Sequence, residues 1–100
     1  MGRGPRIRPS RLAGKLLRIR NDLELSQSEL IRALGFERTL RNQGISGFEL
    51  GKREPPLPIL LAYARLAGVY ADVLIDDDID LPKKLPASPK SEGIPSKPKK

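Results

Sequence analysis

The segment LSQSELIRALG, Leu25 to Gly35, carries a helix start, a periodic middle and a stop within a few residues. Ser26-Gln27-Ser28-Glu29 has capping-box spacing, in which the serine hydroxyl accepts from the Glu29 amide and the Glu29 carboxylate accepts from that of Ser26. Leu25 and Leu30 occupy the two positions of a hydrophobic staple. Leu30, Ala33 and Leu34 recur with helical period and are expected to face inward. Gly35 suits a left-handed helix end, with Phe36 folding back on Ile31.

The same period extends outward on both sides. Leu12, Leu16, Ile19 and Leu23 form one apolar stripe of a first helix, with Ser10 placed to cap it. Arg11, Lys15 and Arg18 run beside that stripe and read as an exposed cationic face. Downstream, RNQGISGFELGKREPP (Arg41 to Pro56) offers two large apolar anchors, Ile45 and Phe48, for a short third helix ended by Gly51. Pro55 and Pro56 introduce LPILLAYARLAG, where Leu57, Leu60, Leu61, Ala64 and Ala67 are expected inside and Gly68 is the stop. VYADVLID adds a short fifth helix with Val69, Val73 and Leu74 facing in. No segment alternates as a strand would, and no internal repeat occurs. The fold class expected is all-α, a compact five-helix domain over residues 10–81.

The ends differ in composition. Residues 1–9 are rich in Gly, Pro and Arg and predict a flexible arm; residues 82–100 are rich in Pro, Lys and Ser and predict a disordered tail. Residues 1–20 hold seven Lys/Arg and no acid, residues 21–81 hold six against eleven Asp/Glu, and residues 82–100 hold six Lys against Glu92. The net charge of +7 therefore sits on two basic arms around an acidic-leaning middle. A polyanionic partner fits that layout, as does plain solubility.

Several function classes drop out. The chain has no cysteine and no histidine, so disulfides, zinc-finger ligation and histidine acid–base chemistry are excluded. No nucleophile–base pair, metal cluster or phosphate-cradling loop appears, and neither an enzyme nor a cofactor is expected. The longest apolar run is too short for a bilayer, and the N-terminal arginines lack the apolar stretch of a signal peptide, so no membrane partner is expected and the bacterial cytoplasm is the default. DDDID, Asp76 to Asp80, has alternate carboxylates like a calcium loop but lacks the glycine at position six (Leu81) and the glutamate at position twelve (Ala87). It reads as a solvated acidic patch or a site for the basic tail. PPLP is better explained as a helix start than as a proline-rich ligand.

The order of elements resembles the Cro/C1-type helix-turn-helix family, the phage-repressor and XRE-like regulators. The residues that carry the resemblance are Ser26-Gln27, Ile45-Ser46, Glu49, Gly51-Lys52-Arg53, Glu54-Pro55 and Leu60-Leu61 with Ala64. It spans about residues 10–77. It implies a lambda-repressor-like domain, double-stranded DNA as partner, a homodimer on a two-fold operator, and a structural role for Glu49. The chain departs from the family's pattern between Gly35 and Ile45, where FERTLRN lengthens the turn by about one helical turn's worth of residues. A smaller departure is Pro56 and Pro58, where the family often has a Ser/Thr cap and an acid; proline is tolerated in a first helical turn.

Within that frame the short third helix has a reason to be small and amide-rich. A helix in the major groove needs one face packed on its domain and another that approaches base edges. Asn42, Gln43, Ser46 and Gly47 are the expected base contacts, since Asn and Gln can pair bidentately with adenine. Gln27, Arg41, Lys52 and Arg53 are the expected phosphate contacts, a solvated helix end being the alternative for Lys52 and Arg53. Arg3, Arg6 and Arg8 are candidates for a minor groove, an unbound arm being the alternative. The rival function is a protein-interaction module of the same fold, such as the antitoxin of a toxin–antitoxin pair.

Overall fold

The computed structural model describes residues 8–89. Its elements are α1 (Leu12–Asp22), α2 (Gln27–Leu34), α3 (Asn42–Glu49), α4 (Leu57–Ala67) and α5 (Ala71–Ile75), with no strand among the described residues. None of these helices is long and apolar enough to cross a membrane.

The local signals for α2 act as their chemistry requires. Ser26 accepts from the Glu29 amide and Glu29 accepts from that of Ser26, so both halves of the capping box are made. Gly35 ends the helix with φ 84°, and the Phe36 amide reaches back to the Ile31 carbonyl at 3.2 Å. Gly68 closes α4 in the same way, with the Val69 amide on the Ala64 carbonyl at 3.0 Å. Residues 36–40, the lengthened turn, are not slack. The Leu40 amide donates to the Phe36 carbonyl at 2.8 Å, which makes one hydrogen-bonded turn, and Phe36 and Leu40 pack against the core.

The core joins Leu12, Leu16, Ile19 and Leu23 of the first stripe to Leu30, Ile45, Phe48, Tyr63 and Leu74. Two helices face differently from the expectation. In α2, Ile31 is buried and Ala33 exposed. In α4, Ile59, Leu60 and Tyr63 are buried, whereas Leu57 is 78% exposed and Leu61 41%. Apolar residues occupy nearly every position from 59 to 64, so periodicity alone could not select the inner face.

Of the cationic stripe only Arg11 is exposed. Lys15 is only 5% exposed, and its ammonium donates to the carbonyls of Val73, Asp76 and Ile79 at 2.7, 2.9 and 2.6 Å. Burial, and next Arg11, push its pKa below the ordinary value, against the opposing pull of Asp77, Asp76 and Asp80. Arg18 donates to the carbonyls of Pro82 and Lys83 and pairs with Asp22. The stripe thus holds the C-terminal segment by its backbone.

The acidic stretch is largely exposed, as a solvated patch would be, but Asp77 and Asp80 also have partners in the fold. Asp77 accepts from the amides of Ser10 and Arg11 at 2.9 and 3.0 Å and from the Ser10 hydroxyl at 3.0 Å. It therefore caps α1, which Ser10 was expected to do with its own side chain. Arg11 also pairs with Asp80. The tail begins later than Pro82. Leu81 and Leu85 are buried, and the Ala87 amide donates to the Ala67 carbonyl at 3.3 Å. Buried Leu85 fastens this stretch together with the Arg18 bonds to its carbonyls. The remaining tail, from residue 90, lies outside the described residues, as do Arg3 and Arg6.

Candidate nucleic-acid interface

The third helix is anchored from one side. Ile45 is fully buried and Phe48 nearly so, while Glu49 reaches across to α1. There Arg20 Nε and Nη2 donate to its two carboxylate oxygens at 2.6 and 3.0 Å, and the Arg20 Nη1 donates to the Leu25 carbonyl at 3.1 Å. The hydrogen bond to Glu49 raises the Arg20 pKa further above its ordinary value. The structural role expected for Glu49 is thereby given a partner, and one that sequence did not supply. An acid beside an apolar anchor needs a cation, but nothing local singles out Arg20 from the other arginines.

On the outer side, Asn42 and Gln43 are exposed at the start of α3, and Arg41 precedes them, also exposed. Two side-chain bonds tie this end to α2. Gln27 Nε2 donates to the Ser46 hydroxyl at 2.9 Å, and the Ser28 hydroxyl donates to Asn42 Oδ1 at 3.3 Å. Gln27 and Ser46, expected to meet phosphate and base separately, meet each other across the two helices. Ser28 escaped sequence reading because a serine inside a capping box already has a local explanation.

Gly47 does not lie open. It is buried, and a β-carbon built on it would stand 3.1 Å from Cδ of Arg53 and 3.5 Å from its Cγ. The turn is fastened to the same residue: the amides of Lys52 and Arg53 donate to the Gly47 carbonyl at 2.9 and 3.2 Å. Gly51, at φ 75°, makes that reversal possible. Lys52 and Arg53 are exposed.

The described chain starts beside this turn. Arg8 pairs with Glu54 at 3.6 Å, and a small cleft between them is lined by Pro9, Leu12, Phe48 and Arg53. Arg8 thus lies next to the exit of α3. No group of three His, Cys, Asp or Glu side chains that could hold a metal occurs among the described residues.

What the arrangement offers is a short helix fixed on one face by two apolar anchors and an ion pair. Its other face is small and amide-bearing, with cations at both ends. Residues 16–74 match a family model described as helix-turn-helix. Comparison with curated proteins gave no match, and neither did comparison with solved structures.

Proposed function

The chain belongs to the Cro/C1-type helix-turn-helix family of DNA-binding regulators, and on that premise we propose that it reads operator DNA in the major groove through α3. In this reading it acts in the cytoplasm as a homodimer on a two-fold site. The observation that carries it is the exposed amide pair Asn42 and Gln43 at the start of a helix whose opposite face is buried. Such a helix can enter the groove without disturbing its core, and its first residues are those that meet base edges.

Asn42 and Gln43 then pair with bases, and Ser46 joins them, oriented by the amide of Gln27. Arg41 and Lys52 meet phosphates at the two ends of α3. Gln27 lies at the positive end of α2, where an anion is favoured. Arg8, with Arg3 and Arg6 before it, extends this basic path toward a minor groove.

Selection from a random duplex pool with the purified protein at stated salt tests the proposal. A two-fold motif is expected, and Lys52→Ala should lower the log–log salt slope by about 0.9 on every sequence alike. The second reading, a protein-interaction module such as an antitoxin, has one observation in its favour. Leu34, Phe36, Pro58, Leu61 and Leu66 line an apolar groove between α2 and α4, with Leu61 41% exposed. A pool that yields no motif, together with a salt slope unchanged by Lys52→Ala, would replace the first reading with this one.

A further inference from the structure

We propose that Arg53 is a base-reading residue, whose side chain crosses α3 at Gly47 and presents its guanidinium to a guanine edge in the major groove. This inference rests on α3 being the groove-entering helix.

Helix geometry places Gln43, Gly47 and Leu50 at i, i+4 and i+7, on the side opposite Ile45 and Phe48. Gln43 and Leu50 are exposed, as that side should be, yet Gly47 is buried. The three nearest atoms to its missing β-carbon all belong to Arg53: Cβ at 3.9 Å, Cγ at 3.5 Å and Cδ at 3.1 Å. The distance shrinks outward along the side chain, so the stem lies down on the helix at the glycine instead of leaning away from it.

The backbone fixes this approach. Both the Lys52 and the Arg53 amides are held by the Gly47 carbonyl, so the root of the side chain cannot drift from the helix. The outer face of α3 lacks a side chain at position 47 and receives one from the turn. A guanidinium there has the planar fork that matches O6 and N7 of guanine, which an ammonium on a flexible stem does not reproduce. The two glycines of α3, each of which lowers helix propensity, then have different causes. Gly44 has only Leu40 within 4 Å, at 3.5 Å, an ordinary contact, whereas Gly47 makes the space that Arg53 fills.

Wild type, Arg53→Lys, Gly47→Ala and the double variant are to be compared by competition binding at one salt concentration. The competitors are the selected duplex and its single-base-pair variants. Arg53→Lys keeps the charge, so the salt slope should hold while preference at one G·C pair per half-site falls roughly 5- to 150-fold. The methyl of Gly47→Ala would stand 3.1 Å from Arg53 Cδ and push the stem outward by a few tenths of an ångström. Preference should fall at that same pair, with melting no lower, and the double variant should lose little more than the larger of the two single losses. Full preference retained by Arg53→Lys at every position overturns the inference, as does a Gly47→Ala loss at a different pair. Should Gly47→Ala melt lower, Arg53→Lys alone decides. A wild-type protein indifferent to duplex sequence overturns the α3 reading itself, whereas preference that survives Arg53→Lys overturns only this inference.

Discussion

Arg20 and Glu49 join the first helix to the third through two parallel hydrogen bonds, and the Glu49 side chain is 6% exposed where Arg20 keeps 19%. Removing one partner leaves the other charge unpaired. Glu49→Ala should cost about 3 kcal/mol, the lower end for a buried pair because Arg20 retains some water. Replacing both, as Arg20→Met with Glu49→Leu, should recover most of that loss in urea denaturation. A double variant as unstable as Glu49→Ala would show that the pair is not what holds α3.

Tyr63 is fully buried, and its hydroxyl has no hydrogen-bond partner within the described chain. Tyr63→Phe removes a desolvated polar group without opening a cavity, so stability at pH 7 should be unchanged or raised by up to about 1 kcal/mol. Burial, and next the Glu49 carboxylate, push the Tyr63 phenol well above its ordinary range. The folded state keeps the proton at a pH where the unfolded chain has lost it. Stability therefore falls as pH rises past about 10, and Tyr63→Phe should flatten that alkaline limb. Equal pH 9 to 11 losses in both proteins would contradict the assignment.

Asp77 is held below the usual carboxylate range, first by the Ser10 amide and then by that of Arg11. A carboxylate favoured in its charged form by folding adds stability that is fully present above about 4 and is lost as pH falls below that, through the depressed folded value. Asp77→Ala should thus lower the urea midpoint at pH 7 and differ less from wild type at pH 3. The amides of residues 10–15 should lose protection from hydrogen exchange before those of α3. Uniform loss across the domain would mean the carboxylate is not a local cap.

Gln43 is exposed and lies near the start of α3, so the fold asks little of its side chain. Gln43→Ala should cost about 1–3 kcal/mol at one base position per half-site and leave the melting temperature within a degree or so. Nonspecific affinity should be untouched. If Gln43→Ala, Ser46→Ala and Arg41→Ala all discriminate like wild type, helix α3 is not the reader.

The parts of this molecule that were legible in its sequence are those whose causes are local. The Ser26–Glu29 box and the glycine stops at Gly35 and Gly68 each act within a few residues of themselves, and the anchors Ile45 and Phe48 stand out as the large apolar residues of their segment. The parts that were not legible depend on groups far apart in the chain. Lys15 looked solvated because its partners are carbonyls of Val73, Asp76 and Ile79, and backbone acceptors leave no mark in composition. The inner face of α4 was unreadable for the opposite reason, an excess of apolar choices. Gly47 was expected to meet bases, but the group that approaches it is Arg53, and the two hydrogen bonds that seat the turn join main-chain atoms, with Gly51 at positive φ between them.

The Asp77 cap has a meaning for the order in which this chain is made. Residues 12–67 can emerge from a ribosome and form four helices while the first of them still lacks the carboxylate that receives its leading amides, because that group lies 67 residues after Ser10. The carbonyls of Val73, Asp76 and Ile79 that meet the Lys15 ammonium come equally late in the chain. Helix α3 and its Arg20 tether are complete in the chain well before that moment. The groups that fasten the start of α1 are thus the last of the domain's fastenings to be made, after the chain of α3 and its tether is complete.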